Sequence, residues 1–250
     1  MENNNAADKI LTVDIGGSHI KGTVLNNLGV PQTDYQKLVT PTPANPENVL
    51  RTVKSLSDFF PDYNKVSVGF PGYVKDGVVI TAPNLGTKAW ADFHFCDELQ
   101  RLLGKPVRLV NDADMQGLGI VSGSGFEIMV TLGTGFGTAF LMNGVLLPHM
   151  ELAHHPISKK GDYDWYIGEK AFKKKGKKAW NKRMQKVLAI LKTVFNYDRL
   201  YIGGGNADEL NFRLDPNIKI VTNQDGIKGG ARLWADNHPV PPATFVTHPE

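Results

Sequence analysis

Three segments of the chain place glycines directly after an apolar run. They are Gly16-Gly17-Ser18 behind Asp14, the run LGTGFG from Leu132 to Gly137, and Gly203-Gly204-Gly205. Glycine lacks a Cβ, so backbone N–H groups in such bends can close around anionic oxygens. A single bend of this kind also serves an ordinary tight turn. Three at strand ends read as several backbone segments holding one nucleotide, with Gly133, Thr134 and Gly135 in the second segment. Asp14 ends the first apolar run, where a carboxylate can hold a hydrated divalent metal. Ser18 adds a hydroxyl and Lys21 a cation. Neither GxxxxGK[ST] nor a GxGxxG leading into a helix is present, which excludes the common P-loop and the Rossmann fingerprint.

A second group of residues suits a hydroxylic acceptor. Asn111 and Asp112 close the apolar run Pro106 to Val110. Phosphoryl transfer to a sugar hydroxyl needs a group to take the hydroxyl proton and charge neutralisation around the moving phosphoryl. Asp112 fits the first need. Asp114 is the rival, and reads better as a cap on the following helix or as an aid to metal or water. Glu151, His154 and His155 follow a short apolar strand, and Glu with His supplies acceptors and donors for several hydroxyls. Asn84, behind Pro83, can do both. Any one of these alone is as compatible with a surface Glu or a packed His. His149, His154 and His155 raise the question of zinc, but no Cys lies near them and no zinc is expected.

These residues need elements to position them. Lys9 to Val13 and Lys21 to Leu25 flank the first glycines as a hairpin rather than as a strand entering a helix. Asn45-Pro46 starts a helix carrying Val49, Leu50, Val53, Leu56 and Phe59 or Phe60 at helical spacing. Strands follow at Lys65 to Phe70 and, beyond the Asp76-Gly77 turn, at Val78 to Ile80. A helix from Cys96 stops at Gly104, and Pro106 to Val110 is a buried strand. A second, similar cycle begins at Glu127. It runs through the hairpin around Asn143-Gly144, a long helix from Trp180 to Phe195, and strands at Leu200 to Ile202 and Ile218 to Val221. A closing helix spans Gly229 to Ala235. Two similar halves joined by packed crossings predict a cleft between them, a favoured place for a small ligand.

The whole chain sets outer limits. It has 250 residues, 41% apolar and 21% charged, the values of a soluble globular protein. The single Cys96 excludes an internal disulfide and points to a reducing, cytoplasmic setting. Met1 to Ala7 is polar, and no run of about 20 apolar residues is present, so no membrane span is expected. The net charge of +3 is uneven: Lys159 to Arg183 holds 10 basic and 3 acidic residues, leaving −4 for the rest. That pattern does not fit a general nucleic-acid binder. The basic stretch reads as a solvated helix face or as a contact for a polyanion.

Taken together, the motifs resemble the repressor, open reading frame and kinase (ROK) family of sugar kinases, and within it the polyphosphate glucokinase and glucomannokinase branch. The resemblance runs from about Ile10 to Trp234. It rests on VDIGGSHIKG (Val13 to Gly22), PGYV (Pro71 to Val74), APNLGTKAW (Ala82 to Trp90), NDAD (Asn111 to Asp114), TLGTGFGTAFLMNG (Thr131 to Gly144), ELAHHP (Glu151 to Pro156) and YIGGG (Tyr201 to Gly205). It implies an α/β chain of the actin-like ATPase (ribonuclease H-like) fold, with lobes at 1–112 and 113–250 around a cleft and the last helix packing back on the first lobe. It implies transfer of a phosphoryl group from ATP or inorganic polyphosphate to the 6-hydroxyl of glucose. Asp112 would be the base, with Asn84, Asn111, Glu151, His154 and Glu169 on the sugar. Asp14 would hold Mg2+, and Gly16, Gly17, Gly133, Gly135 and Gly203 to Gly205 would meet the donor. A homodimer is implied as well. Two departures stand out. The family's Cys-rich zinc motif is missing, as in the polyphosphate-using branch, and its usual Gly before the His is Ala153. A kinase for mannose or fructose, and a non-catalytic sugar sensor on the same scaffold, are the alternatives.

Overall fold

The computed structural model describes residues 8–222 and 226–235; Met1 to Ala7 and the part of the second lobe beyond Ala235 lie outside the described residues. Apolar alternation builds the first hairpin, β1 (Lys9–Ile15) against β2 (His19–Asn26), with Asp14 directly opposite Lys21. β3 (Gln36–Val39) extends it on the far side. α1 (Pro46–Ser57) starts where Asn45 accepts a hydrogen bond from the Asn48 N–H, and it buries Val49, Val53 and Leu56. Phe60 is buried at its end, while Phe59 faces solvent. β4 (Lys65–Phe70) pairs parallel to β1. Asp76 and Gly77, both at positive φ, form the tight turn between β5 (Val74–Lys75) and β6 (Val78–Val79). α2 (Thr87–Trp90) and α3 (Phe95–Leu103) follow, the latter ending on left-handed Gly104. β7 (Val107–Asn111) pairs parallel to β4 and runs directly into α4 (Asp112–Ile120).

The second cycle has the same form. β8 (Phe126–Leu132) pairs antiparallel with β9 (Phe136–Met142), which turns through Asn143-Gly144 into β10 (Val145–Leu146). An irregular stretch then holds a 3-10 turn (Leu152–His154) and the small ribbon β11 (Pro156–Ser158) and β12 (Gly161–Asp162). Three helices follow: α5 (Tyr163–Ile167), α6 (Glu169–Lys175) and α7 (Lys177–Phe195). Gly176 breaks the last two apart, and α7 begins three residues earlier than its apolar spacing suggests. β13 (Arg199–Gly203) and β14 (Ile218–Ile220) complete the second sheet, both parallel to β8. The closing helix, α8, is only one turn, Gly229–Arg232.

The two five-stranded sheets have one topology. Their orders are β3-β2-β1-β4-β7 and β10-β9-β8-β13-β14, so each is a three-strand meander followed by two parallel strands. This duplicated arrangement is the actin-like ATPase, or ribonuclease H-like, fold. Each sheet has its own core: Val13, Val53, Val68, Phe70 and Trp90 in the first, and Val130, Phe140, Trp180, Met184 and Leu191 in the second. α4 crosses between the halves, burying Met115 and Leu118 against Met129, Ala139 and Leu141. α8 packs on the first half: Ala231 joins Ile10 and Leu25, and the Ser67 hydroxyl donates to the Gly230 carbonyl at 2.6 Å. Among the described residues no helix is long and apolar enough to cross a membrane.

Candidate active site

The cleft between the sheets holds a cavity of 260 Å³. The two glycine turns reach it from opposite sides. Gly16 and Gly17 come from the β1–β2 turn, Gly133 to Gly135 from the β8–β9 turn, and Gly204 from the end of β13. At Gly17 and Gly133 an added Cβ would meet nothing within 4 Å, so these backbones face open space. Gly204 differs. Its φ is +87°, and a Cβ there would lie 2.3 Å from the Leu132 carbonyl oxygen. Only glycine allows the β13 turn to lie against the β8 loop.

Asp112 sits on the cleft floor because of the strand-to-helix junction. Asn111 is the N-cap of α4: its Oδ1 accepts from the Ala113 N–H at 2.8 Å and the Asp114 N–H at 3.4 Å, while its Nδ2 donates to the Gly72 carbonyl at 3.0 Å. The cap role expected of Asp114 therefore belongs to Asn111, one residue before the first helical turn, and both ends of the Asn111 amide are engaged. Burial pushes the Asp112 carboxyl up to about 7, and the nearby charge of Asp14 adds to the rise. Asp14 is itself raised by burial, against the opposing pull of Lys21. Glu127 shows the contrasting case. It is fully buried too, but hydrogen bonds from Ser122, Gly123 and Tyr201 outweigh burial and hold it below the usual range. Among the described residues Asp112 has only the Ala113 N–H for compensation.

On the acceptor side the cavity is lined by Asn84, Asn111, Asp112, Glu151 and His154. Glu151 lies below its ordinary pKa because the His149 ring sits 3.4 Å from its carboxylate. His154 is half-exposed, 3.9 Å from both Glu151 and Asp162. Ala153 is buried in the 3-10 turn without a positive φ, so a side chain in place of the family's Gly carries no backbone strain there. Glu169 is placed elsewhere. It opens α6, and its carboxylate pairs with Lys173 at 2.6 Å outside the cavity lining. Asp164, passed over in the sequence, lines the cavity and accepts from the Phe136 N–H at 2.7 Å. Its position depends on α5 folding back over the β8–β9 turn, and no local motif marks that. Gln116, one turn along α4 from Asp112, also lines the cavity and carried no sequence signal. Asp14, Ser18, Lys21, Gly203 and Gly205 do not line it; Asp14 stands one residue before the end of β1, two before the lining Gly16.

A second cavity of 430 Å³ shares Asn84, Thr134 and Asp164 with the first. Its remaining wall is Trp165, Lys170, Ala171, Lys174, Lys175 and Arg183. The basic stretch is thus divided by the fold. Lys170, Lys174, Lys175 and Arg183 turn to this groove, whereas Lys173 and Lys177 pair with Glu169 and Glu209.

Known proteins share this arrangement. The chain is 32% identical over 245 residues to a polyphosphate glucokinase of Mycobacterium tuberculosis (strain CDC 1551 / Oshkosh), covering 88% of each. The solved inorganic polyphosphate/ATP-glucomannokinase of Arthrobacter sp. strain KM superposes with a TM-score of 0.82 at 30% identity, over 90% of this chain and 98% of that one. A ROK family glucokinase from Streptomyces griseus shares the fold at a TM-score of 0.76 and 20% identity, over 90% and 98%. Residues 10–161 match the ROK family itself, and this chain belongs to that family.

Proposed function

We propose that the protein is a glucokinase that transfers a phosphoryl group from ATP or inorganic polyphosphate to the 6-hydroxyl of glucose. The observation that carries this reading is Asp112: a carboxylate raised to about 7, on a helix start, facing two glycine turns across a cavity. A base with that pKa is half-deprotonated at neutral pH and can still accept a hydroxyl proton. Glu151, ionised through His149, accepts from sugar hydroxyls, and His154 and Asn84 add donors. Asp164 takes the place on the sugar first given to Glu169. The backbones of Gly16, Gly17 and Gly133 to Gly135 receive donor phosphates. Closure of the lobes excludes water from the transfer.

The residues also fit Mg2+. Among the described residues no cluster of three or more His, Cys, Asp or Glu is placed to hold a metal. Mg2+ does not need one, because it keeps several waters and takes one or two carboxylates with phosphate oxygens. Asp14, whose charge burdens Asp112, is the residue that would hold it. Bound there, the ion would supply charge neutralisation at the phosphoryl oxygens. The family resemblance further supports a cytoplasmic homodimer with its lobe boundary at Asp112.

The side groove favours polyphosphate as a donor, since its four cations offer a long anion a path continuous with the cleft. The deciding experiment gives purified protein glucose and Mg2+ with either ATP or nucleotide-free polyphosphate, and measures glucose 6-phosphate. Product is expected from at least one donor; none from either removes the reading. Replacing Lys170, Lys174 and Lys175 with Gln should lower polyphosphate activity several-fold more than ATP activity, and more so at low salt. Replacing Lys177, Lys178 and Lys182 should not. Equal losses with both donors would assign the groove a general electrostatic role.

A further inference from the structure

His149 lies outside the lining of the main cavity, yet it touches groups on both sides of the chemistry. Its Nδ1 is 2.8 Å from Asp114 Oδ2, and its Nε2 is 3.4 Å from Glu151 Oε1. The side chains of His149 and Asp114 are only 7% and 8% exposed, so water cannot substitute for that contact, while Glu151 keeps an exposed edge toward the cavity. The ring also stacks on Tyr73, with centroids 5.7 Å apart and planes at 22°. Asp114 is in the first turn of α4, two residues after Asp112. Glu151 lines the cavity, and Tyr73 lies between β4 and β5 of the other lobe. One imidazole therefore joins the catalytic helix, the sugar-side carboxylate and the opposite lobe.

The electrostatics agree with the geometry. Burial alone would lower the His149 pKa, but hydrogen bonds and charges from Asp114 and Glu151 push it up to about 10. The ring stays cationic across the neutral range and neutralises a buried carboxylate that would otherwise be costly. Among the described residues the other ion-pair partner of Glu151 is His154, 3.9 Å away and half-exposed.

We propose that His149 is a positioning residue which clamps Glu151 to α4 and so sets the affinity for the sugar without touching it. The inference rests on the reading of Glu151 as a sugar ligand. The experiment measures the glucose Kd by calorimetry without donor, and the KM of each substrate, for His149→Ala, Glu151→Gln and the double variant. His149→Ala should weaken glucose binding about tenfold or more, since the 3.4 Å ion pair to His149 holds the ligand group. Its donor KM should stay within about twofold. In the Glu151→Gln background the same change should add less than about twofold, because both act through one carboxylate. His149→Ala leaves Asp114 buried and unpaired and so endangers the fold. The neutral pair Asp114→Asn with His149→Gln serves as the second variant. With a melting temperature near wild type, it should show the same loss for glucose. A parallel rise in donor KM, multiplying effects in the double variant, or unchanged glucose binding overturns the proposal. A wild-type protein that binds no glucose overturns the proposed function as well.

Discussion

The two hairpins that open the two sheets occupy equivalent places and carry different chemistry. In the first, Asp14 stands one residue before the end of β1, opposite Lys21. In the second, Thr131 has the same place in β8, opposite Gly137. The first turn places four residues between the paired Ile15 and Ile20, and the second places three between Leu132 and Phe136. The fifth strands differ in the same way: β7 ends on Asn111 and is followed by Asp112, whereas Val221 and Thr222 follow β14. A duplicated frame thus offers two sets of strand ends to one cleft. At these strand ends the first half supplies carboxylates and the second neutral backbone and hydroxyls; the second half's cavity carboxylates, Glu151 and Asp164, come instead from the stretch after β10 and from α5. Two sets of carboxylates would repel both each other and a polyanionic donor. One set can hold a cation and take a proton.

That comparison can be broken most sharply at Asp112. Asp112→Asn should leave glucose binding nearly intact and lower kcat by about 100-fold or more, through loss of the base. In the wild type, kcat should rise with pH through about 7, as the raised carboxyl loses its proton and becomes able to accept another. Near-normal turnover in the Asn variant would move the base to another group, with Asp114 next in line.

The equivalent pair Asp14 and Thr131 sharpens it further. Asp14→Asn should raise the Mg2+ concentration needed for half-maximal rate, or lower activity, by about 10- to 100-fold, the range seen when groups around a metal are removed. Thr131→Ala, at the matching place, should leave the Mg2+ requirement unchanged. Equal Mg2+ effects at both positions would deny the division of labour between the halves.

The smallest effects on activity, but not on stability, are expected among the glycines. Gly204→Ala must relieve a 2.3 Å contact with Leu132 backbone at a positive φ. It should destabilise by about 2 kcal/mol or more and lower the melting temperature. Gly17→Ala meets nothing, so its melting temperature should stay within about 1–2 °C while the donor KM rises modestly. Similar stability losses at both would show that the first turn is packed rather than open to a ligand.

Much of this was legible in the sequence, and for local reasons. Alternation, the Asn45-Pro46 start, Gly104 and the Asp76-Gly77 and Asn143-Gly144 turns depend on neighbours within a few residues, and such preferences act before any tertiary contact forms. The glycine turns and the Asn111-Asp112 strand end were legible because a motif ties their chemistry to their element. Tertiary structure alone decided the rest. Asp164 reached the cleft because α5 folds over the β8–β9 turn, a contact between residues about 30 apart in the chain, while Glu169 meets that turn through its backbone N–H and turns its carboxylate to Lys173. Asn111 took the cap from Asp114 because β7 runs into α4 without a gap, which freed Asp114 to meet His149. The basic stretch looked uniform in the sequence, but only one face of α6 and Arg183 of α7 turn to the groove, while Lys173 and Lys177 pair with Glu169 and Glu209. The raised pKa of Asp112 is likewise a property of assembly. Burial and the charge of Asp14 come from separate strands, and a carboxylate feels them only once the sheet has brought those strands together.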